Sequence, residues 1–184
     1  MRINLGCGNV RKPGYVGVDQ FPGEAVDVVT DASRLPFASD SVEEVYASHV
    51  IEHVLDMHAL MVEIHRVLIP GGRLKALVPY GLRSLYDPFH LHAFDYRTFR
   101  FFTRNNGFSR SLQNFPLFDL EEIRLDTVTQ FVQHIPPLHY AIESRPKLAW
   151  LLGRLEGTTL FHTLSPKGRW PQLVVILRKP EANA

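Results

Sequence analysis

Two glycines flank a cysteine in Gly6-Cys7-Gly8, directly after the short apolar run Arg2-Ile3-Asn4-Leu5. A side chain at either glycine would block a ligand lying against the backbone, so the turn is open for one. Asp19, ending the run Tyr15 to Asp19, offers two acceptor oxygens side by side, the geometry that receives both hydroxyls of a ribose. Asp31-Ala32 follows the run Ala25 to Val29 and places an acceptor suited to an exocyclic adenine amine beside a residue small enough for the ring to approach. Each residue also has a plainer reading, as a tight-turn glycine or a turn-capping aspartate. The functional reading rests on all of them falling at the tips of successive strands, where one adenosine-like ligand can touch them together.

Histidines form a second group. His49 and His53 follow the run Val42 to Ala47, and His90 and His92 lie in Asp87-Pro88-Phe89-His90-Leu91-His92. Histidine is the natural proton acceptor near neutrality, and His90 is the favoured base, although for each histidine taken singly packing and hydrogen bonding within the loop is the commoner role. Tyr80, Tyr86 and Phe94 read as an aromatic wall for an acceptor or as core. The string His49-Val50-Ile51-Glu52-His53 also matches the His-x-x-Glu-His pattern of certain zinc hydrolases. That reading needs both histidines on one helix and a third ligand, and it leaves Asp19, Asp31 and the glycines without a role. No metal site is expected.

These residues must be held by strands and helices in alternation. Leu60, Met61, Ile64, Val67 and Leu68 recur at three- and four-residue spacing, predicting a helix from Asp56, which caps it, to Pro70-Gly71-Gly72, which stops it. Arg73 to Val78 then resumes as a strand. Asp95 is expected to cap a further helix through Phe101 and Phe102, closed by Asn105-Asn106-Gly107. Leu120 to Leu125 alternates with period two, and Leu173 to Leu177 reads as a fully buried strand. Residues 133–168, with a short helix expected near Pro146 to Leu155, are an insertion between the last two strands. The pattern implies a mostly parallel α/β sheet with helices on both faces, with ligands beyond the strand carboxyl ends.

A chain of 184 residues fits one domain spanning 1–184. Lysine plus arginine number 20 against 19 aspartate plus glutamate, so no sequence-wide field draws nucleic acid or an anionic membrane. A small, mostly uncharged partner fits better. With Cys7 as the only cysteine there is no intrachain disulfide, and a cytoplasmic setting is expected. No apolar run approaches the ~20 residues needed to span a bilayer. Trp150-Leu151-Leu152 offers a homodimer contact or a membrane touch, and the sequence does not choose between them.

Taken in order, Leu5 to Gly8, Asp19, Asp31-Ala32-Ser33-Arg34-Leu35-Pro36-Phe37, Glu52-His53 and Leu68-Ile69-Pro70-Gly71-Gly72 resemble the class I S-adenosylmethionine (SAM) dependent methyltransferases, in particular the small type 11-like members. The resemblance covers residues 1 to about 107 well and does not extend to 133–168. It implies a Rossmann-like seven-stranded sheet with its last strand antiparallel, SAM as cofactor and S-adenosylhomocysteine as product. It also implies a cofactor-binding set of Leu5, Gly6, Cys7, Gly8, Asn9, Asp19, Gln20, Asp31, Ala32, Ser48, His49 and His53. Gly6 and Gly8 would line the methionine part, Asp19 the ribose, Asp31 and Ala32 the adenine, and Ser48 and His49 the sulfonium. The catalytic candidates are His90 and His49, and the acceptor a small molecule, in the sugar or metabolite-hydroxyl class. A non-catalytic SAM-binding partner protein is the alternative. Two departures stand out: only ten residues, Asn9 to Val18, separate Gly8 from Asp19, with Pro13 and Gly14 leaving little helix, and the first strand starts at Arg2, so the cover of the pocket is expected from elsewhere.

Overall fold

The computed structural model of the chain describes residues 1–104, 115, 117–125 and 172–181. Seven strands form one sheet: β1 (Arg2–Leu5), β2 (Val16–Asp19), β3 (Val28–Val29), β4 (Val42–Ser48), β5 (Leu68–Pro79), β6 (Asp119–Leu125) and β7 (Gln172–Arg178). Their spatial order is β3-β2-β1-β4-β5-β7-β6. The first five run parallel, and β7 lies antiparallel between β5 and β6. From β1 the chain steps outward through β2 and β3, then returns to place β4 on the other side of β1. A crevice opens beyond the strand ends at such a reversal, and here the ends are Leu5 and Ser48.

Burial alternates along β4 and β5, and alternate positions on one face of the sheet are apolar because that face carries the core. Ile3, Val18, Val45, Ala47, Leu74, Ala76, Leu173, Val175 and Leu177 are all buried in a single core. Against this core packs α1 (Met57–Val67), burying Leu60, Met61, Ile64 and Val67. Asp56 caps it as the spacing predicts, its carboxylate accepting from the Ala59 amide at 2.9 Å, a contact worth about 1 kcal/mol.

The helix ends at Val67, with Leu68, the last residue of the periodic run, as its C-cap ahead of the Pro70-Gly71-Gly72 stop. Leu68 is already extended (φ −66°, ψ 137°) and pairs with Val42, and the Val42/Glu44 irregularity in the β4–β5 register absorbs the residues before Arg73. The Lys179 ammonium donates to the carbonyls of His65 and Leu68 at 2.9 and 2.8 Å, supplying the donors that a helix end lacks.

Helices on both faces were the expectation; among the described residues there is one α-helix. The β1–β2 connection, Gly6 to Tyr15, carries none, because Pro13 and Gly14 interrupt a segment too short for a stable helix. The helix expected after Asp95 is a 3-10 turn, Thr98–Phe102. Its N-cap position is Arg97, and Asp95, two residues earlier, accepts from the amides of Arg97 (2.7 Å) and Thr98 (3.0 Å). Phe94 is core, stacked on Phe99 with ring centroids 5.4 Å apart, whereas Tyr86 is exposed. The expectations for Asn105 to Gly107, for Trp150 to Leu152 and for the 133–168 insertion lie outside the described residues.

Candidate cofactor and acceptor site

The glycine turn sits at the end of β1 with Gly6 at φ 63° and Gly8 at φ 50°, backbone that L side chains rarely adopt. The two glycines have different neighbours. A Cβ on Gly6 would stand 2.1 Å from Val50 Cγ2, while one on Gly8 would meet nothing within 4 Å. The reading that both keep space for a ligand is therefore corrected for Gly6, whose missing side chain makes room for Val50. Open space lies over Gly8.

Asp19 closes on that turn. Its Oδ2 accepts from the Gly8 amide at 2.9 Å, and Oδ1 from the Phe21 amide at 3.0 Å. A carboxylate has about four lone-pair sites, so two backbone donors leave capacity for ligand hydroxyls while fixing the group's orientation. Gln20 beside it is exposed.

Cys7 is turned the other way. It is buried, with its thiol on the Ala25 carbonyl at 3.5 Å, and burial together with the nearby Asp19 carboxylate raises its pKa. Leu5 is likewise core at 2% exposure. The Asn9 side-chain Oδ1 accepts from the Glu24 amide at 3.3 Å, tying the turn to the segment after β2.

A brace that the sequence did not announce stands in for the absent first helix. Arg11 grips Asp27 through Nη1 at 2.9 and 3.0 Å, and Asp27 Oδ2 accepts from the Gly17 amide at 2.7 Å. These two contacts, the Gly17 amide foremost, hold the Asp27 carboxyl below the usual range. The loop from the glycine turn is thereby pinned across β2.

Asp31 and Ala32 follow β3. Asp31 is exposed, and its Oδ1 accepts from the Ser33 amide and hydroxyl, each at 2.7 Å, which lowers its pKa. Ala32 packs at the edge of the core. The turn they belong to is anchored by α1: Glu63 accepts from the Leu35 amide at 2.7 Å, and Arg66 donates to the carbonyls of Leu35 (3.1 Å) and Phe37 (3.0 Å). Glu63 and Arg66 pair with each other at 2.7 Å. Their three-residue spacing on one helix face was the available signal.

Past β4, whose last residue is the half-buried Ser48, His49 adopts φ 55°, uncommon for a residue other than glycine and frequent at functional turns. Its Nδ1 meets Glu52 Oε1 at 3.2 Å and its Nε2 meets Gln172 Oε1 at 3.0 Å. The Glu52 hydrogen bond raises the pKa of His49 against the opposing effect of burial. Ile51–His53 is a single 3-10 turn, so His49 and His53 do not share a helix as the zinc-hydrolase pattern requires. His53 Nδ1 donates to the Phe89 carbonyl at 3.0 Å and His90 Nδ1 to the Ser84 carbonyl at 2.8 Å. The loop after β5 is thus folded onto the turn after β4, and the His53 and His90 rings stand 4.8 Å apart, edge to face. His92 bonds the Val54 carbonyl at 2.7 Å.

Residues 10–76 match the family model described as a methyltransferase domain, a span that begins just after the glycine turn. Over 59 residues the chain is 39% identical to the ubiquinone/menaquinone biosynthesis C-methyltransferase of Desulfotalea psychrophila, a match covering 32% of this chain and 24% of that one. The chain therefore spans about a quarter of the curated relative it matches. In fold it is similar to phosphoethanolamine N-methyltransferase 2 of Haemonchus contortus, solved with S-adenosylhomocysteine (TM-score 0.57, 15% identity, 98% of this chain and 48% of that one). It is also similar to the [4+2]-cyclase SpnF (TM-score 0.56, 16% identity, 98% and 74%). Residues 10–76 are thus similar to methyltransferase domains, and the sheet order β3-β2-β1-β4-β5-β7-β6 is carried by a fold similar to that of solved SAM-binding methyltransferases.

Proposed function

We propose that this chain binds SAM across the carboxyl ends of β1 to β4 and transfers its methyl group to a small-molecule acceptor. The observation that carries the reading is the Gly8–Asp19 hydrogen bond of 2.9 Å, which sets an acid with spare acceptor capacity at the rim of a turn with open space above it. Asp19 would hold the ribose hydroxyls, Asp31 and Ala32 the adenine, Gly8 and Asn9 the methionine part, and Ser48 and His49 would face the sulfur. Bound SAM supplies a methyl activated by a positively charged sulfonium.

The protein's share is placement. Holding two reacting groups in line is worth about 7–11 kcal/mol, and the braces from Arg11 to Asp27 and from Glu63 and Arg66 to the Leu35 turn keep the pocket walls from shifting. On the acceptor side His90 carries its ring proton at Nδ1, donated to Ser84, and so presents a lone pair at Nε2 to activate a hydroxyl. The relatives' C- and N-methylations belong to them; a sugar or metabolite hydroxyl is the acceptor class favoured here.

Incubating the purified chain with methyl-labelled SAM and a panel of small hydroxyl compounds tests the reading. Labelled product supports it. The fold neighbour that is a [4+2]-cyclase keeps a second reading in play, a SAM-binding protein without methyl transfer, and tight SAM binding with no turnover on any acceptor would favour that one.

A further inference from the structure

Glu52 is 0% exposed, and among the described residues its Oε2 has no hydrogen-bond partner. A buried carboxylate oxygen without a donor is costly, and only Oε1 is engaged, by His49. Beside it stand two imidazoles whose protons are fixed. Both Nδ1 atoms face backbone carbonyls, Phe89 for His53 and Ser84 for His90. Carbonyls only accept, so each neutral ring keeps its proton on Nδ1 and its lone pair on Nε2. Metal-ligating histidines are oriented in just this way, the second ring nitrogen donating to a carbonyl. Ligand atoms of Glu52, His53 and His90 all lie within 4.8 Å of one another.

We propose that Glu52, His53 and His90 bind a single divalent transition-metal ion, zinc by the nature of the donors, leaving further coordination positions open. Two imidazole nitrogens and one carboxylate oxygen suit zinc, whereas calcium and magnesium take oxygen ligands. Bonds of about 2.0–2.1 Å in a tetrahedral site set ligand atoms about 3.3 Å apart, so the cluster must draw in. His53, the exposed member, has room to do so. Backbone contacts join the two halves of the site: the Leu91 amide donates to the Glu52 carbonyl at 2.8 Å. The nearest competing group, Asp87 Oδ2, is 3.6 Å from His90 Nε2, longer than a hydrogen bond.

This arrangement also gives the His49-x-x-Glu52-His53 string a different use from the hydrolase pattern. Glu52 becomes a ligand and His49 its outer partner, while the loop after β5 supplies the third donor. Three protein ligands with an open position are typical of reactive zinc sites. In a role that rests on the methyltransferase reading, the open position takes the acceptor's hydroxyl oxygen. The ion lowers the hydroxyl pKa, the proton leaves to solvent, and the freed electron pair takes the methyl as the methyl–sulfur bond breaks. His90 would then activate the acceptor through the ion.

The test is calorimetry of the whole chain, stripped with a chelator and titrated with zinc chloride, alongside cobalt(II) as a visible-absorption probe. One zinc per chain is expected, with affinity at least about 10-fold weaker in His90→Ala and Glu52→Gln and unchanged in His92→Ala, whose ring lies on Val54. SAM affinity, measured on the same samples, separates the two readings: zinc binding without SAM binding upholds the metal site and removes the cofactor pocket. If Glu52→Gln fails to fold, His90→Ala decides alone. No stoichiometric zinc, or wild-type zinc affinity in His90→Ala, overturns the proposal.

Discussion

The backbone amide of Gly8 donates to Oδ2 of Asp19 at 2.9 Å, so the turn after β1 and the acid that ends β2 act as one hydrogen-bonded unit. Removing the carboxylate frees the turn and, on the proposed function, deletes the ribose acceptor with it. Asp19→Ala is expected to weaken SAM binding by about 30-fold or more, taking ~2 kcal/mol for charged hydrogen bonds lost. Asp19→Asn, which keeps one acceptor oxygen, should fall between. Titration calorimetry on the three proteins checks the order, and equal affinities would remove Asp19 from the ribose site.

Gly6 is held by a packing constraint inside the protein. Gly6→Ala forces a Cβ onto Val50 at 2.1 Å and strains a backbone at φ 63°, so a loss of about 1–3 kcal/mol is expected. Pairing it with Val50→Ala should recover the steric part and leave the strain. Urea unfolding of the two single variants and the double variant measures the coupling; fully additive losses would mean that Val50 is not the obstacle.

The proposed function puts His90, held in the loop after β5, beside the acceptor and apart from the cofactor. His90→Ala should lower turnover by roughly 100- to 10,000-fold, the usual share of acid–base or equivalent activation, while changing SAM affinity little. Steady-state kinetics with an identified acceptor gives the split. A change confined to the KM for SAM would place His90 with the cofactor.

His65 supplies a pH signature independent of the site. Burial and the nearby Lys179 push its pKa from 6.5 down to about 4, and its ring packs edge-on against Phe118 with centroids 5.0 Å apart. Between those two values the unfolded chain binds the proton and the folded chain does not, so stability falls as pH drops from 6.5 to about 4 and levels off below. Solvent screening of this half-buried ring keeps the loss to about 1–3 kcal/mol. Denaturant midpoints across that range should decline in the native protein and decline less in His65→Gln.

Legibility in the sequence followed how local each cause was. The α1 helix was readable from Leu60, Met61, Ile64 and Val67 because its period and its Asp56 cap lie within one segment, and strands β1, β2, β4 and β5 from short apolar runs ending in polar residues. The 3-10 turn at Thr98–Phe102 was misread as a helix: Asp95 binds the amides at the start of either, and the stacking of Phe99 on Phe94 is a tertiary contact that local spacing does not show. Cys7, grouped with the pocket by its place between two glycines, faces the Ala25 carbonyl, since alternation turns its side chain inward. Arg11–Asp27 and Glu63–Leu35 escaped notice because each joins residues 16 and 28 apart. The meeting of Glu52, His53 and His90 depends on the loop after β5 folding back onto the turn after β4, which no spacing reveals.

On the proposed function, one SAM molecule binds across the ends of β1, β2, β3 and β4. The most direct measurement is titration calorimetry of the whole chain with SAM and with S-adenosylhomocysteine, repeated on Asp19→Ala. One molecule bound per chain, competition between the two ligands and marked weakening in the variant are the expected results. No binding of either ligand to folded protein, or undiminished binding in Asp19→Ala, would contradict it.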